Sequence, residues 1–443
     1  MENVNLIILL IGALVLLLGL ISALLKRIGL PAPMLAMLIG TATGPTLLNI
    51  FQPGQWGSVD LVIEEAARIT LGITLVGVAL RLPEGFIRSS WRPLFLLLGP
   101  GMIIMWLTTS ALIYWIIGLS PLVSLLVGAA LTPTDPVIAS SITSGKVATG
   151  NLPERMIHLF RAESGLNDGL AYPFLLLPVL LLSLQRGAAL HQWAIQVLLW
   201  QVGAAILIGF GIGYISGKLL EWAEKEEIIE QGALLAYTIA LALVTLSTIK
   251  LLGSDGVLAV FVATIGFGIS IGKRNRTDAI QTADTVEEFF ILPIFALFGI
   301  VMPWPDWFAL GWPAVFLVLA VIFLRRIPEL LLAGMLTKKL HNWKESLFFG
   351  WFGPIGVSAM FYAAFALRKT GIQNVWIIAS LIIAASTIIH GLTATPFTRW
   401  FGKVEGKKER PAPNQELHPK EYEEKKREQT QKRDEEAKQK QSE

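Results

Sequence analysis

Apolar stretches of membrane length recur along the chain from Leu6 to Trp400, separated by short polar segments. A helix needs about 20 apolar residues to cross the hydrocarbon of a bilayer. The pattern therefore predicts an all-α polytopic membrane protein with 13 transmembrane helices. The expected bounds are roughly 6–25, 33–50, 62–80, 93–117, 121–143, 155–182, 195–217, 232–251, 255–272, 286–301, 309–336, 345–367 and 375–398.

The basic residues of the loops indicate the orientation of these spans. Counted along the chain, 15 Lys and Arg residues fall in loops on one side of the membrane. The other side receives only Arg186, Lys250, Arg368 and Lys369. Because loops rich in Lys and Arg stay in the cytoplasm, we expect the N-terminus outside and the C-terminus inside the cell membrane.

Composition narrows the class of protein further. Hydrophobic residues make up 53% of the chain and charged residues 16%, against about 25% charged residues in a typical soluble domain. Residues 401–443 carry 23 of the 69 charges, so the tail is expected to be disordered, cytoplasmic and a candidate site for a cytoplasmic partner. The absence of cysteine excludes a disulfide framework. An ordinary soluble enzyme, a secreted scaffold and a nucleic-acid-binding protein are all disfavoured.

The most informative residues are polar ones inside the predicted spans, since a charge at the bilayer centre costs about 2.5–3.5 kcal/mol. In span five, Asp135 stands between Pro133 and Pro136. Proline removes a helical donor and clashes with the preceding turn, so the helix should unwind here. Unwound backbone at this depth is tolerated where it lines a cavity or is buried in protein.

Span six carries a second polar cluster of four residues. Glu163 and Asn167 are four residues apart and share a helix face, and Ser164 and Asp168 share the adjacent face. Carboxylate, amide and hydroxyl oxygens suit hard cations. Asp135 and Asp168 are expected to meet at similar depth, since span six returns where span five descends. A buried carboxylate with a purely structural role is the alternative for both acids.

Span eleven contains Arg325 near its middle. A buried guanidinium requires a carboxylate partner, and Glu163 is the natural candidate, so a structural ion pair between these two residues is predicted. Arg326 lies about 100° round the helix, where it would face lipid headgroups or a second partner. The sequence leaves open whether Arg325 or Arg326 is the arginine that pairs with Glu163.

Span twelve is predicted to be interrupted as well, at Gly353, Pro354 and Gly356. Two interrupted helices in corresponding positions are the best sequence indication of a transporter site. Spans five and twelve are seven apart and run in opposite senses. This relation predicts an inverted repeat of spans 1–6 against spans 8–13, with span seven as the linker.

The paired motifs Thr134-Asp135-Pro136 and Glu163 to Asp168 resemble those of the NhaP-type sodium/proton antiporters of the monovalent cation/proton antiporter superfamily. The stretch from Phe352 to Val357 looks more like that of the fungal plasma-membrane sodium/proton antiporters. The resemblance covers most of residues 1–400. It implies a mobile core (about 93–182 and 309–398), a dimerisation scaffold (about 6–80 and 232–301), a linker helix (about 195–217) and a homodimer.

The resemblance also implies roles for single residues. Asp168 would bind cation and proton in turn, and Thr134 and Ser164 would help to ligate the cation. Asn167 and Asp135 would hold the crossing of the two interrupted helices. Asn167 stands where electrogenic relatives carry a second Asp, which implies electroneutral exchange. The fungal-like span twelve belongs to a branch with electrogenic exchange, so the stoichiometry stays open.

The residues themselves suggest the same mechanism. Removal from water disfavours the charged carboxylate, so near neutral pH such a group can hold either a proton or a cation. The predicted function is therefore exchange of Na⁺, or of Li⁺ or K⁺, for protons without a resident cofactor and without enzyme chemistry. Thr134 and Ser164 are equally consistent with simple helix packing. A cation channel, an intramembrane aspartyl protease and an organic-anion transporter are the rival interpretations.

Overall fold

The structure is a computed structural model that describes residues 2–230, 233–336 and 343–404, and all regular structure in these ranges is helical. The predicted all-α class is thus confirmed. The helices, in chain order, are α1 (Glu2–Leu20), α2 (Ser22–Ile28), α3 (Ala32–Thr43), α4 (Val59–Leu80), α5 (Phe86–Ser89), α6 (Trp91–Leu96), α7 (Met102–Ile117), α8 (Pro121–Ala130), α9 (Pro136–Thr143), α10 (Gly145–Asn151), α11 (Glu154–Ser183), α12 (Arg186–Gln192), α13 (Gly203–Lys225), α14 (Ala233–Leu251), α15 (Gly256–Ser270), α16 (Lys273–Ile300), α17 (Trp304–Ala309), α18 (Trp312–Leu324), α19 (Ile327–Leu336), α20 (Trp343–Trp351), α21 (Val357–Thr370) and α22 (Gln373–Val404).

Two π-helical turns, Leu97–Gly101 and Trp193–Val202, join α6 to α7 and α12 to α13 into longer helices. Four helical segments within the described residues are long and apolar enough to cross a membrane: Trp91–Ile117, Glu154–Ser183, Arg186–Lys225 and Gln373–Val404. Large apolar side chains on their outer faces are exposed, as a lipid-facing surface requires; Leu207, for example, is 76% exposed.

Several helix ends differ from the predicted bounds. The first predicted span divides near Ile21 into α1 and α2. The span expected to begin at residue 286 begins at Lys273, so Glu287 lies well inside α16. The tail expected from residue 401 begins later, because Phe401–Val404 completes α22; residues 405–443 lie outside the described residues.

The largest difference is an interruption in span eleven, which the apolar pattern did not predict. Helix α18 ends at Leu324 and α19 begins at Ile327, so Arg325 and Arg326 occupy the joint between them. Pro328 follows at once and cannot donate a hydrogen bond to the preceding turn. The long apolar run predicts one continuous helix, whereas the Ile327-Pro328 pair is the sequence signal for a break at this position.

Small residues bring the remaining helices close together. A Cβ on Gly209 or Gly213 of α13 would collide with the backbone of Ala259 or Ala263 of α15. Close backbone approach at small residues is the usual way that helices pack in a membrane, where lipid is as apolar as the side chains. Helix α4 packs against α15, α16 and α21.

Candidate functional site

The first interruption, residues 131–135, separates α8 from α9 as the two prolines predict. Asp135 is fully buried and closes the start of α9, because its Oδ1 accepts hydrogen bonds from the N–H groups of Val137 (2.6 Å) and Ile138 (3.4 Å). Such a cap satisfies donors that a helix start leaves without partners. The same carboxylate reaches a second helix start, since its Oδ2 accepts from the N–H of Val357.

The second interruption, residues 352–356, separates α20 from α21, in agreement with the predicted break at Gly353, Pro354 and Gly356. It contacts the first interruption directly, because the N–H of Asp135 donates to the carbonyl of Pro354 at 2.8 Å. A Cβ on Gly356 would collide with the Asp135 carboxylate, so glycine permits this approach. The N–H of Ile355 donates to Oγ of Ser386 on α22 at 2.8 Å.

Arg325 lies beyond the C-terminal ends of α8 and α20, whereas Asp135 contacts the N-terminal ends of α9 and α21. Its guanidinium donates to the carbonyl groups of Leu131, Thr132 and Pro133 beyond α8, and to the carbonyl of Gly353 beyond α20. Carbonyl groups at a helix C-terminus carry partial negative charge and N–H groups at an N-terminus partial positive charge. Arg325 therefore joins two C-terminal ends, and Asp135 joins two N-terminal ends.

The ion pair of Glu163 runs to Arg326, which corrects the predicted pairing with Arg325. Arg326 donates to both carboxylate oxygens, at 2.8 and 3.3 Å, and both side chains are about 2% exposed. The guanidinium lies over the rings of Phe160 and Phe349, with centroids 5.4 and 5.3 Å away. The physical reason is the joint between α18 and α19, which directs the two neighbouring arginines to different partners.

A hydrogen-bond network connects the first interruption to α11. The side-chain amide of Asn167 donates to Oγ1 of Thr134 (2.5 Å) and to Oε1 of Glu163 (2.7 Å), and its Oδ1 accepts from the N–H of Thr134 (3.2 Å). Oγ1 of Thr134 donates to Oγ of Ser164 at 3.3 Å. All four residues are buried. The structure thus brings together the predicted residues Thr134, Glu163, Ser164 and Asn167.

Asp168 differs from every other acid of the site. It is fully buried, and within the described part of the chain neither carboxylate oxygen makes a hydrogen bond of normal geometry. Its backbone carbonyl accepts a hydrogen bond from the hydroxyl of Tyr362 on α21. A buried carboxylate without donors is costly unless a proton or a cation neutralises it, so Asp168 is the acid of the cluster that the described residues leave uncompensated.

A small cavity of about 20 Å³, roughly the room for one water molecule, approaches this cluster from one side. Its walls come from α4, α9, α11 and α16 and from the residue after each of α4 and α9, and the lining residues are Val78, Arg81, Pro136, Ala139, Thr143, Ser144, Phe160, Arg161, Ser164 and Glu287. Ser164 lies one turn before Asp168 on α11. The cavity therefore ends close to the carboxylate.

The opposite end of α4 carries an ion pair between a buried carboxylate and an exposed guanidinium. Arg368 near the end of α21 donates to both oxygens of Glu64, at 2.6 and 2.8 Å, and Glu64 is 1% exposed. Val78, which lines the cavity, lies 14 residues further along α4 than Glu64, a separation of about 21 Å at 1.5 Å per residue. One end of α4 thus carries an ion pair to α21, and the other end lines the cavity.

Sequence reasoning missed Tyr362 and Ser386, and it paired Glu163 with Arg325 rather than with Arg326. Arg326 carries a signal in the Ile-Pro pair that follows it. Tyr362 and Ser386 lie on α21 and α22, far along the chain from the first interruption, and their spacing alone carries no signal.

The chain has long apolar helices, two helix interruptions in contact, and the buried acids Asp135 and Asp168 beside them. These features are those of a multi-pass membrane protein with a polar site inside the membrane. The family model described as "Sodium/hydrogen exchanger, transmembrane" matches residues 12–400. The chain therefore belongs to the sodium/hydrogen exchanger family, and the resemblance to NhaP-type antiporters is confirmed.

Individual proteins of similar sequence are named as antiporters. Na(+)/H(+) antiporter 2 of Zygosaccharomyces rouxii is 36% identical over 339 residues, which cover 74% of this chain and 42% of that protein. A Na(+)/H(+) antiporter of Schizosaccharomyces pombe is 29% identical over 407 residues, which cover 86% of each chain. The chain spans about half or less of the length of three of the fungal relatives.

One solved structure is similar over nearly the whole fold. The sodium proton antiporter MjNhaP1 from Methanocaldococcus jannaschii matches with a TM-score of 0.70 at 20% sequence identity. The match covers 91% of this chain and 99% of that chain. At this identity the likeness concerns the fold.

Proposed function

We propose that this protein is a secondary active antiporter that exchanges a monovalent cation for protons, and that cation and proton compete for Asp168. The observation that carries the proposal is the fully buried Asp168 carboxylate, which has no hydrogen bond of normal geometry from the described residues and lies beside the end of a cavity. Antiporter activity of relatives with matching sequence supports it.

Competition for one carboxylate produces exchange without enzyme chemistry or a resident cofactor. Either a proton or a cation neutralises Asp168, and a neutral site moves through the membrane more cheaply than an empty carboxylate. An uncoupled return of the empty site is thereby suppressed. The hydroxyl groups of Thr134 and Ser164 are the proposed neutral ligands of the cation, and Asp135 and Asn167 hold the surrounding backbone and side chains in place.

The cargo is a small monovalent cation, with Na⁺ as the first candidate and Li⁺ and K⁺ as the others. The named activities of the fungal relatives support Na⁺. Oxygen ligands of this kind suit all three cations, and the size of the site decides among them.

Alternating access is the proposed mode of transport. In it a core of residues about 93–182 and 309–398 moves against a scaffold of residues about 6–80 and 232–301. The surroundings of α4 support this mode: the scaffold meets the core through the Glu64–Arg368 ion pair at one end, and a small cavity lies between them at the other. Movement that breaks the ion pair and closes the cavity would expose Asp168 to the other side.

We also propose how the chain is arranged in the membrane. Thirteen spans form an inverted repeat, the interruptions of spans five and twelve cross each other, and residues about 195–217 link the halves. The N-terminus lies outside and the C-terminus in the cytoplasm of the cell membrane, and two copies form a homodimer through the scaffold. The alternation of basic residues between loops supports this orientation.

Proton movement in proteoliposomes tests the function. An imposed Na⁺ gradient should drive proton movement through the unaltered protein, and Asp168→Asn should abolish it, because an amide neither binds a proton nor balances a cation. Repeating the assay with Li⁺ and K⁺, with the membrane potential clamped or free, gives selectivity and stoichiometry.

Asp255→Asn is the matched control for this test. Asp255 is 3% exposed and caps α15 through the N–H groups of Val257 and Leu258, and Asn caps helices as well as Asp does. This variant should exchange normally. Cation-dependent proton movement through Asp168→Asn would refute the assignment.

A further inference from the structure

The hydroxyl of Ser358 is a buried polar group whose role the site description leaves open. Ser358 is fully buried in the first turn of α21, directly after the second interruption. Among the described residues its Oγ has no hydrogen-bond partner of normal geometry. An uncompensated hydroxyl in an apolar interior is unfavourable, so a partner supplied from outside the chain would stabilise it.

The local backbone explains why this hydroxyl is available. Buried Ser and Thr side chains inside helices commonly donate to the carbonyl four residues earlier, as Thr109, Thr264 and Thr387 do here at 2.8 Å. For Ser358 that carbonyl belongs to Pro354, which lies in the non-helical interruption and accepts from the N–H of Asp135. The interruption therefore removes the acceptor that the hydroxyl of Ser358 would otherwise use.

The same turn of α21 faces Asp168. Tyr362, four residues after Ser358 and on the same helix face, donates its hydroxyl to the backbone carbonyl of Asp168. The Ser358 hydroxyl lies close enough to act on the Asp168 carboxylate, but the two make no hydrogen bond of normal geometry. Three buried oxygen atoms, two from Asp168 and one from Ser358, thus lie near one another, and none of them is hydrogen-bonded within the described structure.

We propose that Ser358 is a further ligand of the transported monovalent cation, contributed by the second interrupted helix. The inference rests on the proposed function and adds to it a specificity-determining residue. A hydroxyl oxygen is a hard neutral ligand that suits Na⁺ or Li⁺. With Ser358 on α21 and Asp168 on α11, a bound cation connects the two helices at the site.

The test measures apparent KM values for Na⁺, Li⁺ and K⁺ in cation-driven proton movement by the full chain in proteoliposomes. Ser358→Ala should raise the KM for Na⁺ by roughly three- to tenfold, the effect of losing one neutral contact. The ratios of the KM values among the three cations should change too, because ions of different size use the hydroxyl unequally. A merely structural role would lower the maximal rate for all three cations alike.

Ser358→Cys is a second variant that keeps the size of the side chain and exchanges a hard oxygen for a soft sulfur, a poor ligand for these ions. It should lose Na⁺ affinity as Ser358→Ala does. Ser346→Ala is the matched control. Ser346 is a buried serine in the first turn of α20 whose Oγ likewise has no partner among the described residues, and its removal should leave all three KM values unchanged.

The outcomes separate this inference from the function on which it rests. If the unaltered protein moves no protons in response to any cation gradient, the proposed function fails. If it exchanges normally and both Ser358 variants keep its KM values and their ratios, the assignment of Ser358 is overturned while the function stands. Raised KM values and altered ratios in both variants, with Ser346→Ala unchanged, support the assignment.

Discussion

The two helix interruptions meet at one point but contribute different chemistry. Residues 131–135 include a carboxylate and a threonine hydroxyl, both of which bond to neighbouring helices. Residues 352–356 read Phe-Gly-Pro-Ile-Gly and contain no ionisable side chain. The second interruption contributes backbone groups instead, namely the carbonyls of Gly353 and Pro354 and the N–H of Ile355.

This difference shows how one acid and one base can serve both interruptions. Asp135 accepts from the N–H groups at the starts of α9 and α21, and Arg325 donates to the carbonyls beyond α8 and α20. Each charge thus compensates two helix ends of opposite sign to itself. The second interruption needs no charge of its own, because both compensating side chains come from other segments.

The largest expected effect follows from removing the shared acid. In Asp135→Ala, the N–H groups of Val137, Ile138 and Val357 lose an acceptor, at about 1–3 kcal/mol for each buried donor. We expect a loss of roughly 3–9 kcal/mol in stability over the three donors, measured as thermal unfolding in detergent, together with loss of exchange.

Asp255→Ala is the control for that prediction. Asp255 also caps a helix through two N–H groups, but neither of these hydrogen bonds connects α15 to a second helix. This variant should lose only about 0.5–2 kcal/mol, the cost of an ordinary cap, and it should still exchange. Equal losses for the two variants would mean that Asp135 is a simple cap and that the two interruptions are held together by other groups.

The next effect concerns the charge network of the first interruption. Arg326→Gln leaves Glu163 as a buried charge without its guanidinium, which costs about 3–5 kcal/mol. The double variant Glu163→Gln with Arg326→Gln should recover most of this loss. Thermal stability of the single and double variants gives the coupling energy between the two residues.

Arg325→Gln provides the matched comparison for that coupling. Arg325 bonds to four carbonyl groups, so its loss should be nearly the same with Glu163 or with Gln at position 163. A stronger coupling of Glu163 to Arg325 than to Arg326 would restore the pairing expected from the sequence and contradict the geometry.

The sequence predicted the parts of the site that depend on local chemistry. Prolines and glycines locate both interruptions, and the four-residue spacing of Glu163 with Asn167 places these groups on one face of α11. These predictions succeed because the backbone restrictions of proline and the periodicity of a helix act over a few residues.

The missed parts depend on long-range geometry. The choice between Arg325 and Arg326 depends on a joint inside an apolar run, where a rotation of 100° per residue no longer relates the two side chains. Tyr362 and Ser386 reach the site from α21 and α22. Nothing in their neighbouring sequence marks the contact, since both stand in apolar surroundings like many packing residues.

The smallest expected effect sharpens the contrast at the second interruption. Ser386→Ala removes the hydroxyl oxygen that accepts a hydrogen bond from the Ile355 N–H at 2.8 Å. One buried donor without an acceptor costs about 1–3 kcal/mol, and no charge is disturbed, so exchange should persist at reduced thermal stability. Thr387→Val, one residue further along α22, removes a hydroxyl that donates to the Ile383 carbonyl and should cost less. If Ser386→Ala instead abolished exchange while the protein stayed folded, the second interruption would contribute side-chain chemistry of its own, and the contrast between the two interruptions would fail.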